Sequence, residues 1–86
     1  MAQAQWCGPC KLIEPLVQSI ADDYDGKVKV VKVDTDVHKD VVGQYGIYGL
    51  PLLIAFKNGD ELRRHEGALN KAQLLDFVQT AFPEVA

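Results

Sequence analysis

The stretch Trp6-Cys7-Gly8-Pro9-Cys10 decides how the rest of this chain is interpreted. Two cysteines separated by two residues, at the head of a helical pattern, are typical of a dithiol that cycles with its disulfide. Free backbone N–H groups and the helix dipole at a helix N-terminus favour a thiolate on Cys7. Cys10 lies one turn further along, close enough to attack a mixed disulfide formed on Cys7. The motif therefore predicts thiol–disulfide exchange.

The same two cysteines could instead form half of a zinc or iron–sulfur site. Such a site needs further cysteine or histidine ligands at metal spacing. His38 and His65 do not supply a second paired motif. The spacing therefore favours redox chemistry, with no metal and no cofactor beyond the Cys7–Cys10 disulfide.

A helix is predicted to begin at Gly8 and to run to about Tyr24. Gly8 and Pro9 form its tight first turn, where a proline loses no hydrogen bond. Pro15 lies inside the helix and is expected to kink it. The buried face is predicted from apolar residues at helical spacing, namely Leu12, Ile13, Leu16, Val17, Ile20, Ala21 and Tyr24.

The rest of the chain alternates strands with helices. The valine-rich residues 27–33 predict a strand, residues 36–45 a short helix, and the apolar run 51–57 a strand buried on both faces. Asn58-Gly59 predicts a hairpin into a short strand over 62–65. Asn70 and Gln73 predict a capping box for a last helix that reaches Phe82.

Composition excludes several classes of protein. The 86 residues, 48% of them hydrophobic, predict one small domain over 1–86. Nine basic and twelve acidic residues give a net charge of −3 without a basic stripe, which argues against a nucleic-acid partner. No apolar run reaches the length of a membrane span, and residues 1–6 lack the features of a secretory signal. We expect a cytoplasmic protein with no membrane partner.

Beyond the Cys-x-x-Cys motif, the chain resembles the thioredoxin family over residues 4–82. The resemblance implies an α/β fold with a mixed sheet flanked by three helices. It also implies an enzyme that reduces protein disulfides and is re-reduced by a thioredoxin reductase or an equivalent. The matching segments are Trp6-Cys7-Gly8-Pro9-Cys10-Lys11, Pro15, Tyr45-Gly46-Ile47-Tyr48-Gly49-Leu50-Pro51, Phe56-Lys57-Asn58-Gly59 and Gly67-Ala68-Leu69.

The resemblance further implies a substrate groove beside the cysteines. Trp6 forms its wall, Gly49-Leu50-Pro51 its floor, and Gly67-Ala68 its far side. The bond before Pro51 is expected to be cis, with the Leu50 backbone beside Cys7. Glu66 stands where the family usually has an apolar residue, so its carboxylate could influence Cys7 or partner choice, or could simply be solvated.

The chain also departs from the family pattern. Family members carry a β-α-β segment before the active site, and this sequence shows none of it. The family's buried aspartate, which serves proton transfer at the inner cysteine, would align with Met1, so it is absent here. Lys32 matches the lysine that lies near that aspartate. We therefore expect a slow reductase. The alternatives are a redox-sensitive binding or assembly module with little turnover, and a truncated or engineered thioredoxin fragment.

In the family, the strand that leads into the active site is central and lies between those matching residues 27–33 and 51–57. Here residues 1–3 could form only the tail of that strand, so residues 27–33 need another neighbour. Buried backbone groups without a partner cost roughly 1–3 kcal/mol each. Residues 27–33 could pair antiparallel with 51–57, giving about three strands, and this is the arrangement we favour. Residues 1–5 could instead patch the gap, or two chains could form a homodimer through their exposed edges.

Overall fold

The computed structural model describes residues 1–85, in which short strands alternate with three helices. The strands are β1 (Ala2–Gln3), β2 (Val33–Asp34), β3 (Leu52–Lys57) and β4 (Asp60–Glu66). The helices are α1 (Gly8–Asp23), α2 (Lys39–Tyr45) and α3 (Lys71–Ala81), followed by a single 3-10 turn at Pro83–Val85.

The strands form one mixed sheet in the order β2-β1-β3-β4. β1 runs parallel to β2 and antiparallel to β3, and β3 pairs antiparallel with β4. The predicted α/β fold with a mixed sheet and three helices is confirmed. The sheet has four strands where about three were predicted, because the first residues of the chain also pair.

Those first residues fill the position between β2 and β3. Ala2 is opposite Val33 on one side and opposite Leu52 on the other. The Met1 amine donates to the Val31 carbonyl at 2.7 Å, and the Val33 N–H donates to the Met1 carbonyl at 2.9 Å. The favoured prediction, direct pairing of residues 27–33 with 51–57, is therefore wrong, because β1 supplies hydrogen bonds to both neighbours.

The strand predicted over residues 27–33 is also mostly wrong. Only Val33–Asp34 is a strand, because β1 offers just its two residues as a pairing partner. The valines before Val33 instead line a cleft of about 510 Å³ whose opposite wall is formed by β3. The valine pattern did predict an apolar environment, although no strand forms there.

The remaining elements follow local signals. Asn58 (φ 54°) and Gly59 (φ 83°) form the predicted hairpin turn, since both adopt positive φ. Helix α2 begins at Lys39, later than predicted, because the Asp34 carboxylate accepts the Asp36 N–H at 2.9 Å and holds a turn there. At α3 the predicted capping box, formed by Asn70 and Gln73, is present.

The core lies mainly between the sheet and helices α1 and α3. A smaller cluster on the other face joins Ala2 and Leu52 to Ile47, beside α2. No helix within residues 1–85 has both the length and the apolar character needed to cross a membrane. The main cluster consists of Ile13, Val17, Ile20, Leu53, Ala55, Leu74, Phe77 and Val78.

Candidate active site

The two cysteines form a disulfide at the start of α1. Their Cα atoms are 5.3 Å apart. Cys7 is the N-cap residue, and its Sγ accepts the Cys10 N–H at 3.1 Å. Gly8 and Pro9 make the exposed first turn between them, as the sequence predicts. Cys7 is 4% exposed and Cys10 1%, so both cysteines are buried in the disulfide form.

The loop before β3 closes one side of the disulfide. The Leu50-Pro51 bond is cis, as expected from the family resemblance. Leu50 packs against the buried cluster formed by Ala4, Cys7 and Cys10, and Pro51 is fully buried. This places Leu50 beside the cysteines.

The end of β4 is fastened to the same loop. The Gly67 N–H donates to the Pro51 carbonyl at 2.8 Å, and Gly67 has φ 103°, which favours glycine. Ala68 follows on the surface. The structure therefore brings together Leu50, Pro51 and Gly67. All three residues are far from Cys7 in the sequence.

Trp6 precedes Cys7 and lies on the surface. Its side chain is 71% exposed, so it is not part of the core. The indole Nε1–H donates to the Asp36 carboxylate at 2.9 Å. Sequence reasoning missed Asp36, because the contact joins positions 30 residues apart and no local pattern indicates it.

Glu66 and Gly49 lie against each other at the other side of the loop. A Cβ built on Gly49 would stand 2.6 Å from Glu66 Oε1 and 2.8 Å from Cδ. Because Gly49 has no side chain, the Glu66 carboxylate can lie against its backbone. The sequence singled out both residues without indicating that they touch.

The two predicted supporting lysines lie on the surface. Lys11 is exposed in the first turns of α1. Lys32 Nζ pairs with Glu14 Oε1 at 2.9 Å, which ties the segment before β2 to α1. Both groups of the pair are substantially exposed, so it contributes about 0–1 kcal/mol.

Cys10 belongs to a small buried hydrophobic cluster. Its buried cluster contains Ala4 and Cys7, with Leu50 packed against it. Neither alanine nor leucine can accept or donate a proton. In the described part of the chain, no group of three potential ligands is arranged to hold a metal ion.

A comparison with protein families agrees with this geometry. The family model described as Thioredoxin matches residues 2–80. The chain belongs to the thioredoxin family. The match includes both cysteines, the loop before β3 and the β3–β4 hairpin, so it covers the whole of the site described above.

Individual thioredoxins are similar over most of this chain. Thioredoxin of Pseudomonas aeruginosa is 45% identical over 75 residues, which cover 87% of this chain and 69% of that protein. Thioredoxin 1 of a Nostoc species is 48% identical over 71 residues, covering 83% and 66%. Thioredoxin X, chloroplastic, of Arabidopsis thaliana is 42% identical over 77 residues, covering 87% and 42%. The aligned part thus spans about two thirds of the bacterial relatives and less than half of the plant protein.

Proposed function

We propose that this thioredoxin-family chain is a thiol–disulfide oxidoreductase that reduces disulfides in proteins. The observation that carries the proposal is the Cys7–Cys10 disulfide at the N-terminus of α1, packed against the cis Leu50-Pro51 loop. An extended substrate can pair with the Leu50 backbone while its own disulfide meets Cys7. Trp6, Gly49 and Gly67-Ala68 complete the groove for that segment.

The proposed reaction has two exchange steps. The Cys7 thiolate attacks one sulfur of the substrate disulfide, and the other substrate sulfur leaves as a thiolate that takes a proton from water. Cys10, as a thiolate, then attacks Cys7 Sγ and releases the second substrate thiolate. Two electrons pass to the substrate, and the Cys7–Cys10 disulfide is the oxidised product. The helix N-terminus favours the thiolate of Cys7 in the reduced protein.

Reduced efficiency is part of the proposal. Cys10 must lose a proton before it can attack, and the hydrophobic residues packed in its cluster, Ala4 and Leu50, cannot take that proton. We propose that water or the substrate thiolate takes it. We expect the resolving step to be slow, while attack by Cys7 is unaffected by this feature.

The proposal names partners and a compartment as well. The reaction needs disulfide-containing protein substrates and an upstream reductase such as thioredoxin reductase, and it needs no cofactor apart from the cysteine pair. We place the protein in the cytoplasm, where dithiols are kept reduced. We also propose that it forms a homodimer, because the cleft between residues 28–31 and β3 leaves apolar surface and one edge of β3 open.

Insulin reduction by dithiothreitol tests the function. The protein should accelerate insulin precipitation over the uncatalysed rate, and Cys7→Ser should remove that acceleration completely. The thioredoxin of Pseudomonas aeruginosa, assayed at the same concentration, gives the reference rate. An equal rate for the two proteins would contradict the reduced efficiency, and an unchanged rate for Cys7→Ser would contradict the mechanism.

The second candidate function, a redox-sensitive binding module, makes a different prediction. The burial of both cysteines favours it, since oxidation then changes the packing around Leu50. Thermal unfolding of the reduced and oxidised forms would show a large difference in midpoint temperature together with negligible insulin reduction. A small difference with measurable turnover supports the oxidoreductase instead.

A further inference from the structure

The Glu66 carboxylate lies against Gly49, just before the cis Leu50-Pro51 bond. Glu66 is the last residue of β4 and is opposite Leu52 in the β3–β4 register. The following hydrogen bond, from Gly67 N–H to the Pro51 carbonyl, fixes the end of the strand against the cis loop. The carboxylate therefore stands on the loop that contacts Cys7 and Cys10.

Gly49 makes room for this carboxylate. A Cβ at position 49 would lie 2.6 Å from Oε1, 2.8 Å from Cδ and 3.2 Å from Cγ of Glu66. The side chain thus lies over the backbone of Gly49, a residue that the proposed function assigns to the substrate groove. Because Glu66 as a whole is exposed, a substrate segment entering the groove can reach it.

No cation within residues 1–85 forms an ion pair with Glu66. Arg64, two positions earlier on the same face of β4, is held by both oxygens of Glu61 and by the Tyr45 carbonyl. Lys32 is paired with Glu14, and Lys57 with Glu84. The negative charge of Glu66 therefore remains available to a partner.

We propose that Glu66 selects protein substrates that carry a lysine or arginine next to the disulfide they present to Cys7. This inference rests on the proposed function, because it concerns the same groove. A cationic side chain that enters beside Gly49 gains an ion pair with Glu66, whereas an anionic one meets a like charge. The nearby Leu50-Pro51 loop holds the substrate backbone, so the charge is read at a fixed distance from the disulfide.

The size of the preference follows from the exposure of Glu66. An exposed ion pair contributes about 0.2–1 kcal/mol, which corresponds to a rate advantage of up to about fivefold for a cationic substrate. Repulsion of an anionic substrate is of similar size, and the two factors multiply, so about threefold for each gives a cationic-to-anionic ratio of about tenfold at low salt. Raising the salt from about 0.01 M to about 1 M shortens the screening length from about 30 Å to about 3 Å and should remove most of the ratio.

The test measures the first exchange step alone. In a Cys10→Ser background the reaction stops at the mixed disulfide on Cys7, which mass spectrometry quantifies over time. The substrates are three symmetric peptide disulfides that differ only in lysine, glutamine or glutamate beside the cysteine. Rates are normalised to the glutamine peptide, and intrinsic peptide reactivity cancels when Glu66 is compared with Glu66→Gln and Glu66→Lys.

We compare the rate of mixed-disulfide formation for the lysine peptide with that for the glutamate peptide. The ratio of these rates should be about tenfold higher with Glu66 than with Glu66→Gln, and it should be inverted in Glu66→Lys. Asp60→Asn, at the far end of β4, removes the same charge away from the groove and should keep the ratio of the parent. Gly49→Ala, which displaces the carboxylate, should lower the ratio toward that of Glu66→Gln.

Each other outcome has a separate meaning. If the glutamine peptide reacts and the ratio is the same with Glu66 and Glu66→Gln, the charge preference is overturned and the oxidoreductase function stands. If the ratio behaves as expected while the unsubstituted protein does not reduce insulin, the preference stands and turnover fails. If no peptide forms a mixed disulfide, both proposals are overturned.

Discussion

Trp6 is the only tryptophan of the chain, so its fluorescence reports on the surface beside Cys7. The indole N–H bonds to Asp36 although the ring is mostly exposed. Asp36→Ala should therefore lower the steady-state anisotropy of the tryptophan emission, because the ring gains rotational freedom. It should change the free energy of unfolding by no more than about 1 kcal/mol, as is usual for one exposed hydrogen bond. Asp25→Ala, in the turn after α1, is the control, and equal anisotropy in both variants would contradict the assigned role of Asp36.

The Glu61 carboxyl on β4 gives a prediction for pH. The pKa of Glu61 is lowered from its ordinary value of 4.5, chiefly by the hydrogen bonds from Arg64. A lowered pKa in the folded state means that this pair stabilises the protein above pH 4.5 and that its contribution is lost as pH falls through the lowered value. Arg64→Gln should bring the pKa of Glu61, measured by NMR titration, back toward 4.5. The pKa of Glu84, lowered by Lys57, should stay unchanged and serves as the internal control.

The sequence indicates single residues well where the signal is a motif. The dithiol motif indicates Cys7 and Cys10 together with their helix, and the family pattern indicates the cis bond at Pro51. The contact between Gly49 and Glu66 had no such signal. This contact depends on the register between β3 and β4 and on the conformation of the Glu66 side chain. Neither can be predicted from a local sequence pattern.

Among the elements, α3 depends most clearly on a local device. The Asn70 side chain accepts the Gln73 N–H at 2.8 Å, and Gln73 Oε1 accepts the Asn70 N–H at 2.9 Å. Asn70→Ala should lower the free energy of unfolding by about 0.5–2 kcal/mol, because backbone donors at the helix start lose their acceptor. Urea unfolding measures the change. Lys71→Ala, one residue further, removes no cap and should have a clearly smaller effect; equal losses in both variants would contradict the cap.

The elements also show where sequence reasoning stops. The hairpin at Asn58-Gly59 and the capping box of α3 are predictable because the residues that form them are close in sequence. Residues 27–33 have the composition of a strand, yet a strand requires a neighbour of matching length. β1 provides its two residues only, so most of that segment stays outside the sheet. The local sequence favours a strand over residues 27–33, and whether a strand forms depends on the tertiary arrangement.

At the scale of the whole molecule, the open cleft between residues 28–31 and β3 predicts self-association. Exposed apolar surface of this kind commonly marks an interaction site. Light scattering should give an apparent mass that rises from monomer toward dimer as the protein concentration increases. Val31 lines the cleft and is 57% exposed, so Val31→Lys should hold the protein at monomer mass by placing a charge there. Val37→Lys, at a valine that is 71% exposed and lies outside the cleft lining, should associate like the parent protein. Monomer mass for all three proteins at every concentration would reject the homodimer, and loss of association in both variants would place the interface elsewhere.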